Sequence, residues 1–254
     1  MMTLRLTVLG SGTIVPSQVR RPTCLLVEGA GETVLVDCGP GALQAVEDSG
    51  RSYRDIHRIL LTHFHPDHTL GIGRLFSAVK NDTAVTEKHW LVIYGPEGLE
   101  DFIHGWDKLY GGIVPGDDTL NLVTLEPGYE IDLGDMMITA GPADHGGRPA
   151  LAWRIELGDR SIVYTGDTSP SEELNRFAER ADLLVSECSF PDESPMDGHM
   201  TPAMVGEMAS FAQVAEVLLV HMYPFFGEAD PAAEVKRRFH GKVTTGRDGL
   251  VIEI

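Results

Sequence analysis

Residues 62–68 read Thr-His-Phe-His-Pro-Asp-His, which places His63, His65, Asp67 and His68 within six positions. Imidazole and carboxylate are the ligands that Zn²⁺ and related divalent ions prefer. The segment follows the apolar run Ile59-Leu60-Leu61, which reads as a buried strand. So many ionisable groups at a strand end are costly to desolvate unless a cation neutralises them. A divalent ion held there with one position open makes a nucleophile from water at neutral pH. The competing reading is a polar turn that happens to be rich in histidine, and the dense spacing weighs against it.

Three further residues share that context. His145 follows an expected strand at 136–140. Asp167 lies in Thr165-Gly166-Asp167-Thr168, after a strand at 161–165. His221 follows a strand at 216–220. Strand-to-loop junctions put side chains at one edge of a layered fold, where sites collect. Taken singly, each has a plainer rival: a loop histidine, a capping aspartate and a core imidazole.

The elements that must position these residues alternate along the chain. Strands are expected at 4–10, 24–28, 33–37, 56–61, 91–94, 121–125, 129–133, 136–140, 151–157, 161–165, 183–186, 216–220 and 250–252. Helices are expected at 41–48, 70–80, 97–109, 171–180, 202–213 and 231–239, with Ser171 as a cap. No repeat, low-complexity tract or linker interrupts them. A single α+β domain over residues 1–254 is the expectation.

Composition narrows the function classes. With 254 residues and 43% hydrophobic content the chain can bury a substantial core. Its 20 basic and 38 acidic residues give a formal charge of −18. That field repels polyanions, so nucleic-acid binding would need a local basic patch. Lys236-Arg237-Arg238 is the densest run and reads as a solvated helix face. Cys24, Cys38 and Cys188 are widely spaced and odd in number, which reads as three buried thiols in a reducing compartment. There is no signal-peptide pattern and no apolar run of membrane-spanning length, so a cytoplasmic protein without a membrane partner is expected. His57, His89, His104 and His240 lie outside the pattern and are expected at the surface or in the core. Met196, Met200, Met204 and Met208 recur every four residues, and those that follow Pro202, Met204 and Met208, read as core packing.

The chain resembles the metallo-β-lactamase superfamily, and within it the ribonuclease Z branch. The matching residues are Leu9-Gly10-Ser11-Gly12-Thr13 with Pro16, Val36-Asp37-Cys38-Gly39, residues 62–68, Ile93-Tyr94-Gly95-Pro96, His145, residues 165–168, Ser186-Glu187-Cys188-Ser189-Phe190, His199-Met200-Thr201 and His221. The resemblance implies a four-layer αββα sandwich with two zinc ions at one edge, Mn²⁺ or Fe being alternatives. It implies that His63, His65 and His145 hold one metal, that Asp67, His68 and His221 hold the other, and that Asp167 bridges them. A hydroxide between the metals would be the nucleophile, with Asp67 helping to position it. Glu187 and His199 match a pair that assists the leaving group, and Asp37 would orient a ligand from behind. The resemblance also implies a homodimer.

One departure bears on substrate. Ribonuclease Z proteins carry a long arm that grips transfer RNA between the residues matching His145 and Asp167. Here those residues are 22 positions apart, and the expected hairpin fills nearly all of the gap. The implied activity is therefore a binuclear zinc phosphodiesterase acting on a small diester or nucleotide, with RNA and a ribonuclease Z-like endoribonuclease as the nearer alternative. A sulfatase or carboxyl-type hydrolase on the same scaffold, and a metal-binding module without turnover, remain open.

Overall fold

The computed structural model describes residues 3–82, 91–116, 118–226 and 230–254. The first half contains strands β1 (Arg5–Gly10), β2 (Cys24–Gly29), β3 (Glu32–Val36), β4 (Arg58–Leu60), β5 (Leu91–Gly95) and β6 (Leu120–Thr124). The second contains β7 (Glu130–Leu133), β8 (Met136–Pro142), β9 (Leu151–Leu157), β10 (Arg160–Tyr164), β11 (Leu183–Glu187), β12 (Glu216–Val220), β13 (Lys242–Thr245) and β14 (Val251–Glu253). They form two seven-stranded mixed sheets, ordered β14-β1-β2-β3-β4-β5-β6 and β13-β12-β11-β10-β9-β8-β7. The helices are α1 (Ala42–Asp48), α2 (Pro66–Thr69), α3 (Gly71–Asn81), α4 (Leu99–Tyr110), α5 (Glu172–Phe177), α6 (Pro202–Ala212) and α7 (Pro231–Val235).

Side-chain alternation along the strands builds the layers. Leu6, Val8, Leu25, Val27, Val36 and Leu60 face inward and meet Trp153, Ile155, Tyr164, Val185, Leu218 and Val220 of the other sheet in one core. Their neighbours Leu26, Leu35, Ile59 and Leu61 face outward and pack with Val46, Leu75, Phe76 and Ile103 from α1, α3 and α4. On the far side Val163, Leu184 and Leu219 pack with Leu174, Val205, Met208 and Val235 from α5, α6 and α7. The result is the expected αββα sandwich. Each of these fully buried side chains contributes about 1.5–3 kcal/mol. Among the described residues no helix is long and apolar enough to cross a membrane.

Several boundaries differ from the sequence expectation. Strand β13 had no signal, because Lys242-Val243-Thr244-Thr245 has one apolar residue in four and is held by parallel pairing to β12. The 171–180 helix stops at Phe177, shortly before Arg180 takes a left-handed φ of 57°. The 231–239 helix stops at Val235, so residues 236–238 are exposed but lie beyond it. Ser171 does cap α5, its hydroxyl accepting from Leu174 N–H at 3.1 Å. Met208 is buried as expected, and Met204 packs partly buried against the same cluster.

Two close approaches bring the strand ends of the two sheets together. Leu151 N–H donates to Thr62 O at 2.8 Å. Gly166, at φ 58°, leaves no room for a side chain, since a Cβ there would lie 2.8 Å from the Thr62 Cβ. On the other flank a Cβ at Gly39 would lie 2.1 Å from the backbone oxygen of Asp67 and 2.8 Å from that of Thr23. The segment after β3 therefore sits directly against the histidine-rich turn. Gly39→Ala is expected to lower stability by about 1–3 kcal/mol, read as a fall in the urea midpoint. An unchanged midpoint would show that this backbone contact is not a constraint.

Candidate active site

The site is assembled from the carboxyl ends of strands in both sheets. Asp37 follows β3, residues 62–68 follow β4, His145 follows β8, Asp167 follows β10, Glu187 ends β11 and His221 follows β12. Pro66 opens α2 at its first position, where its fixed φ suits a helix start. That turn places Asp67 and His68, both buried, behind the half-buried His65.

All seven residues implied as metal ligands converge. Donor atoms of His63, His65, His145 and Asp167 lie within 4.8 Å of one another, and so do those of Asp67, His68 and His221. Asp167 links the two groups: its Oδ2 is 3.8 Å from His63 Nε2, and its Oδ1 is 3.4 Å from both His68 Nε2 and His221 Nε2. His57, His104 and His240 are exposed and stand apart, and His89 lies outside the described residues.

The histidines are fixed from behind. His68 Nδ1 lies 2.7 Å from Asp37 Oδ2, His145 Nδ1 2.8 Å from Gly198 O, and His63 Nδ1 3.0 Å from Thr62 Oγ1. The Ser189 hydroxyl makes a short hydrogen bond to Glu187 Oε2, so it accepts the His221 Nδ1–H at 2.8 Å. With Nδ1 engaged in each ring, Nε2 is left for the centre. Asp37 is itself completely buried and tied down by Thr62 N–H at 2.9 Å and the Tyr164 hydroxyl at 3.2 Å. Asp37 and His221 both hold left-handed backbone, φ 58° and 53°, a strain of about 1–3 kcal/mol each that is characteristic of functional sites.

The buried polar atoms decide what this arrangement can hold. His63 Nε2, His68 Nε2 and Asp167 Oδ1 have no hydrogen-bond partner, although buried polar groups are normally paired. His65 Nδ1 and His145 Nε2 face each other at 3.1 Å, where a cation shared between them satisfies both lone pairs. Burial, reinforced by the neighbouring imidazoles, holds His63 well below the usual histidine range, and burial with His145 lowers His65. Burial opposes ionisation of Asp167, but His221 and His68 hold its carboxyl well below the ordinary value. Burial opposes a charged His68 as well, but Asp167 and Asp37 raise its pKa well above the usual value, and a divalent ion, which binds the neutral ring, would take that proton's place beside Asp167. The donor set therefore fits divalent cations.

Beside the cluster, His199 Nδ1 lies 3.1 Å from Glu187 Oε2 and 3.2 Å from Oε1. Its ring centroid is 5.0 Å from that of His145 and 5.8 Å from that of His221. Burial works against the charged ring, but the hydrogen bond and charge of Glu187, with Asp167 and Asp67, raise its pKa above the usual value. Glu187 is fully buried and also accepts from Thr168 N–H at 2.7 Å. The arrangement favours the protonated form of a ring set beside the cluster.

Residues 32–222 match the family described as the beta-lactamase superfamily domain. The chain belongs to the β-lactamase superfamily. It falls in the ribonuclease Z-like part of it: the chain is 30% identical to ribonuclease Z of Bradyrhizobium diazoefficiens over 97% of its own length and 99% of the relative's. That alignment spans 304 positions against 254 residues here, so at least 50 positions of the relative face gaps in this chain. The metallo-beta-lactamase fold protein YhfI from Bacillus subtilis superposes with a TM-score of 0.88 at 26% identity, covering 99% of this chain and all of the other. Human tRNase Z, short form, shares the fold with a TM-score of 0.76 at 24% identity, covering 98% of each chain.

Sequence reasoning gave no role to Thr62, Tyr164, Ser189 or Gly198. Ser189 and Thr62 carried a signal, the first lying two residues beyond Glu187 and the second standing next to His63 in the histidine-rich motif. Tyr164 and Gly198 act through contacts distant in sequence. Asp37→Asn keeps the side-chain shape and tolerates the left-handed backbone, but removes the charge behind His68. We expect it to weaken metal affinity by about tenfold or more, measured by chelator competition. Unchanged affinity would show that Asp37 does not support the ligand.

Proposed function

We propose that the protein is a metal-dependent hydrolase of phosphodiesters that works with two divalent ions, zinc in the first instance. The observation that carries the reading is the set of unpartnered buried atoms on His63, His68 and Asp167, which share a centre with four other donors. His63, His65, His145 and Asp167 would hold one ion, and Asp67, His68 and His221, with Asp167 between, the other. Bound there, such a pair supplies an activated water and neutralises charge on the phosphoryl oxygens.

The chain's own residues supply the rest. Asp67, its Oδ2 fixed by Ile14 N–H at 2.9 Å, orients the attacking water. His199, kept protonated by Glu187, delivers a proton to the departing oxygen. Ser189 couples this pair to His221, because one hydroxyl touches both Glu187 and the His221 ring. A small diester or nucleotide is the favoured substrate. Hairpin β9–β10 occupies the interval between His145 and Asp167, and the charge of −18 offers little to a nucleic-acid backbone. RNA is the substrate class suggested by the ribonuclease Z relatives. Three free, buried cysteines fit a reducing cytoplasm.

Turnover of bis-p-nitrophenyl phosphate, a 2′,3′-cyclic nucleotide and a 3′-extended tRNA, with aryl sulfates and lactams alongside and metal analysis on the same sample, tests the reading. Diester hydrolysis with about two divalent ions per chain is expected. Metal-loaded protein inert toward every diester would overturn it. His199→Ala should retain metal and slow diesters with alkoxide leaving groups by about a hundredfold or more, while nitrophenolate diesters slow much less. Equal slowing of both would remove the proton-donor role.

A further inference from the structure

Asp248 lies outside every motif singled out in the sequence, in the chain that crosses from β13 of one sheet to β14 of the other. It is nevertheless tied to the site. Its Oδ1 accepts the Ser11 N–H at 3.0 Å and the Ser11 hydroxyl at 2.8 Å, and its Oδ2 accepts the Arg21 N–H at 2.7 Å. One carboxylate thus grips both ends of the loop between β1 and β2. Arg20 completes the closure, its Nη1 donating to Ser11 Oγ at 2.8 Å and to Gly246 O at 2.5 Å. Gly12 N–H donates to Arg21 O at 2.8 Å across the same neck. Hydrogen bonds to a charged acceptor are the stronger ones, and closing the neck limits the freedom of the exposed residues 16–19.

The loop reaches one side of the cluster. Ile14 N–H donates to Asp67 Oδ2 at 2.9 Å, and that oxygen also lies 3.3 Å from His221 Nε2. Ser11 O accepts the N–H of Met222, the residue after His221, at 3.4 Å. Among the described residues no hydrogen bond runs from this loop to His63, His65 or His145. Segment 12–20 of the loop also forms one wall of a cleft of about 430 Å³ whose other wall follows His221. We propose that Asp248 is a positioning residue for the Asp67, His68 and His221 group. The proposal rests on the two-metal reading and not on the identity of the substrate. Asp248 acts through Ser11 and Arg21 on the loop, and through Ile14 on the carboxylate of Asp67. One ion then depends on a side chain 237 positions from Ser11, and the other does not. Asp248→Asn keeps the shape of the side chain. Whichever way its amide is turned, the NH₂ meets the N–H of Ser11 or of Arg21, donor against donor.

The test withdraws zinc from the metal-loaded protein with a chromophoric chelator, which resolves one release step for each ion. His65→Ala and His221→Ala, each removing a ligand of one group, assign the two steps. Asp248→Asn should weaken the zinc of Asp67, His68 and His221 by about tenfold or more and leave the other within about twofold. Equal weakening of both, as general damage to the fold would give, or weakening of neither, overturns the proposal. Asp48→Asn cuts the ion pair of Arg21 Nη2 with Asp48 Oδ2, 2.9 Å on the outer side of the same loop, and should leave both steps unchanged. A loss equal to that of Asp248→Asn would show that any damage to the loop suffices, and overturns the proposal. Should Asp248→Asn fail to fold, Arg20→Gln loosens the same neck and should weaken the same ion by about threefold or more. An unchanged affinity again overturns the proposal. Wild-type protein that binds no zinc would sink the two-metal reading and the proposal with it. Wild-type protein that holds two zinc ions, with both steps indifferent to Asp248→Asn, sinks the proposal alone.

Discussion

Four imidazoles, His63, His68, His145 and His221, are buried together with their Nδ1 atoms already engaged. Their Nε2 atoms have nowhere to go but a shared centre, beside the carboxylate of Asp167. Desolvated lone pairs and an ionised oxygen packed this closely are unfavourable on their own. A divalent cation converts the same contacts into bonds. The protein has spent its buried hydrogen-bonding capacity on aiming these rings rather than on satisfying them. That choice makes sense of Asp37, Thr62, Ser189 and Gly198, none of which faces the centre itself.

The sandwich provides the aim. Parallel strands β3 and β4 in one sheet, and β10, β11 and β12 in the other, end at the same edge. The two edges are drawn together where Thr62 meets Gly166 and Leu151. Left-handed backbone immediately after each strand turns His221 toward the centre and Asp37 onto the back of the His68 ring. The strain is sustained by the fully buried strands on either side. Rigidity at this edge and an open cleft next to it are complementary: the first fixes the reacting atoms, and the second leaves space for the remainder of a substrate.

Much of this was legible in the sequence. The dense spacing of His63, His65, Asp67 and His68 pointed to a cluster of metal-type donors, and strand ends before His145, Asp167 and His221 pointed to the donors that join it. The pattern of apolar runs and turns gave one mixed domain with strands in both halves, and the two-sheet sandwich was implied by the family resemblance. What stayed hidden depends on contacts between distant segments. Strand β13 is made by its neighbour rather than by its own residues. The ends of α5 and α7 are set by packing and left-handed backbone, which a local pattern does not encode. Tyr164 reaches Asp37 across 127 residues, and the cleft exists only once the 12–20 segment and the chain after His221 are brought side by side.

Anomalous diffraction from crystals of protein purified without added metal is the most direct measurement of the central claim. Two peaks are expected per chain, one among His63, His65, His145 and Asp167, the other among Asp67, His68, His221 and Asp167. An ordered cluster holding only water, or metal bound elsewhere on the chain, would contradict the account.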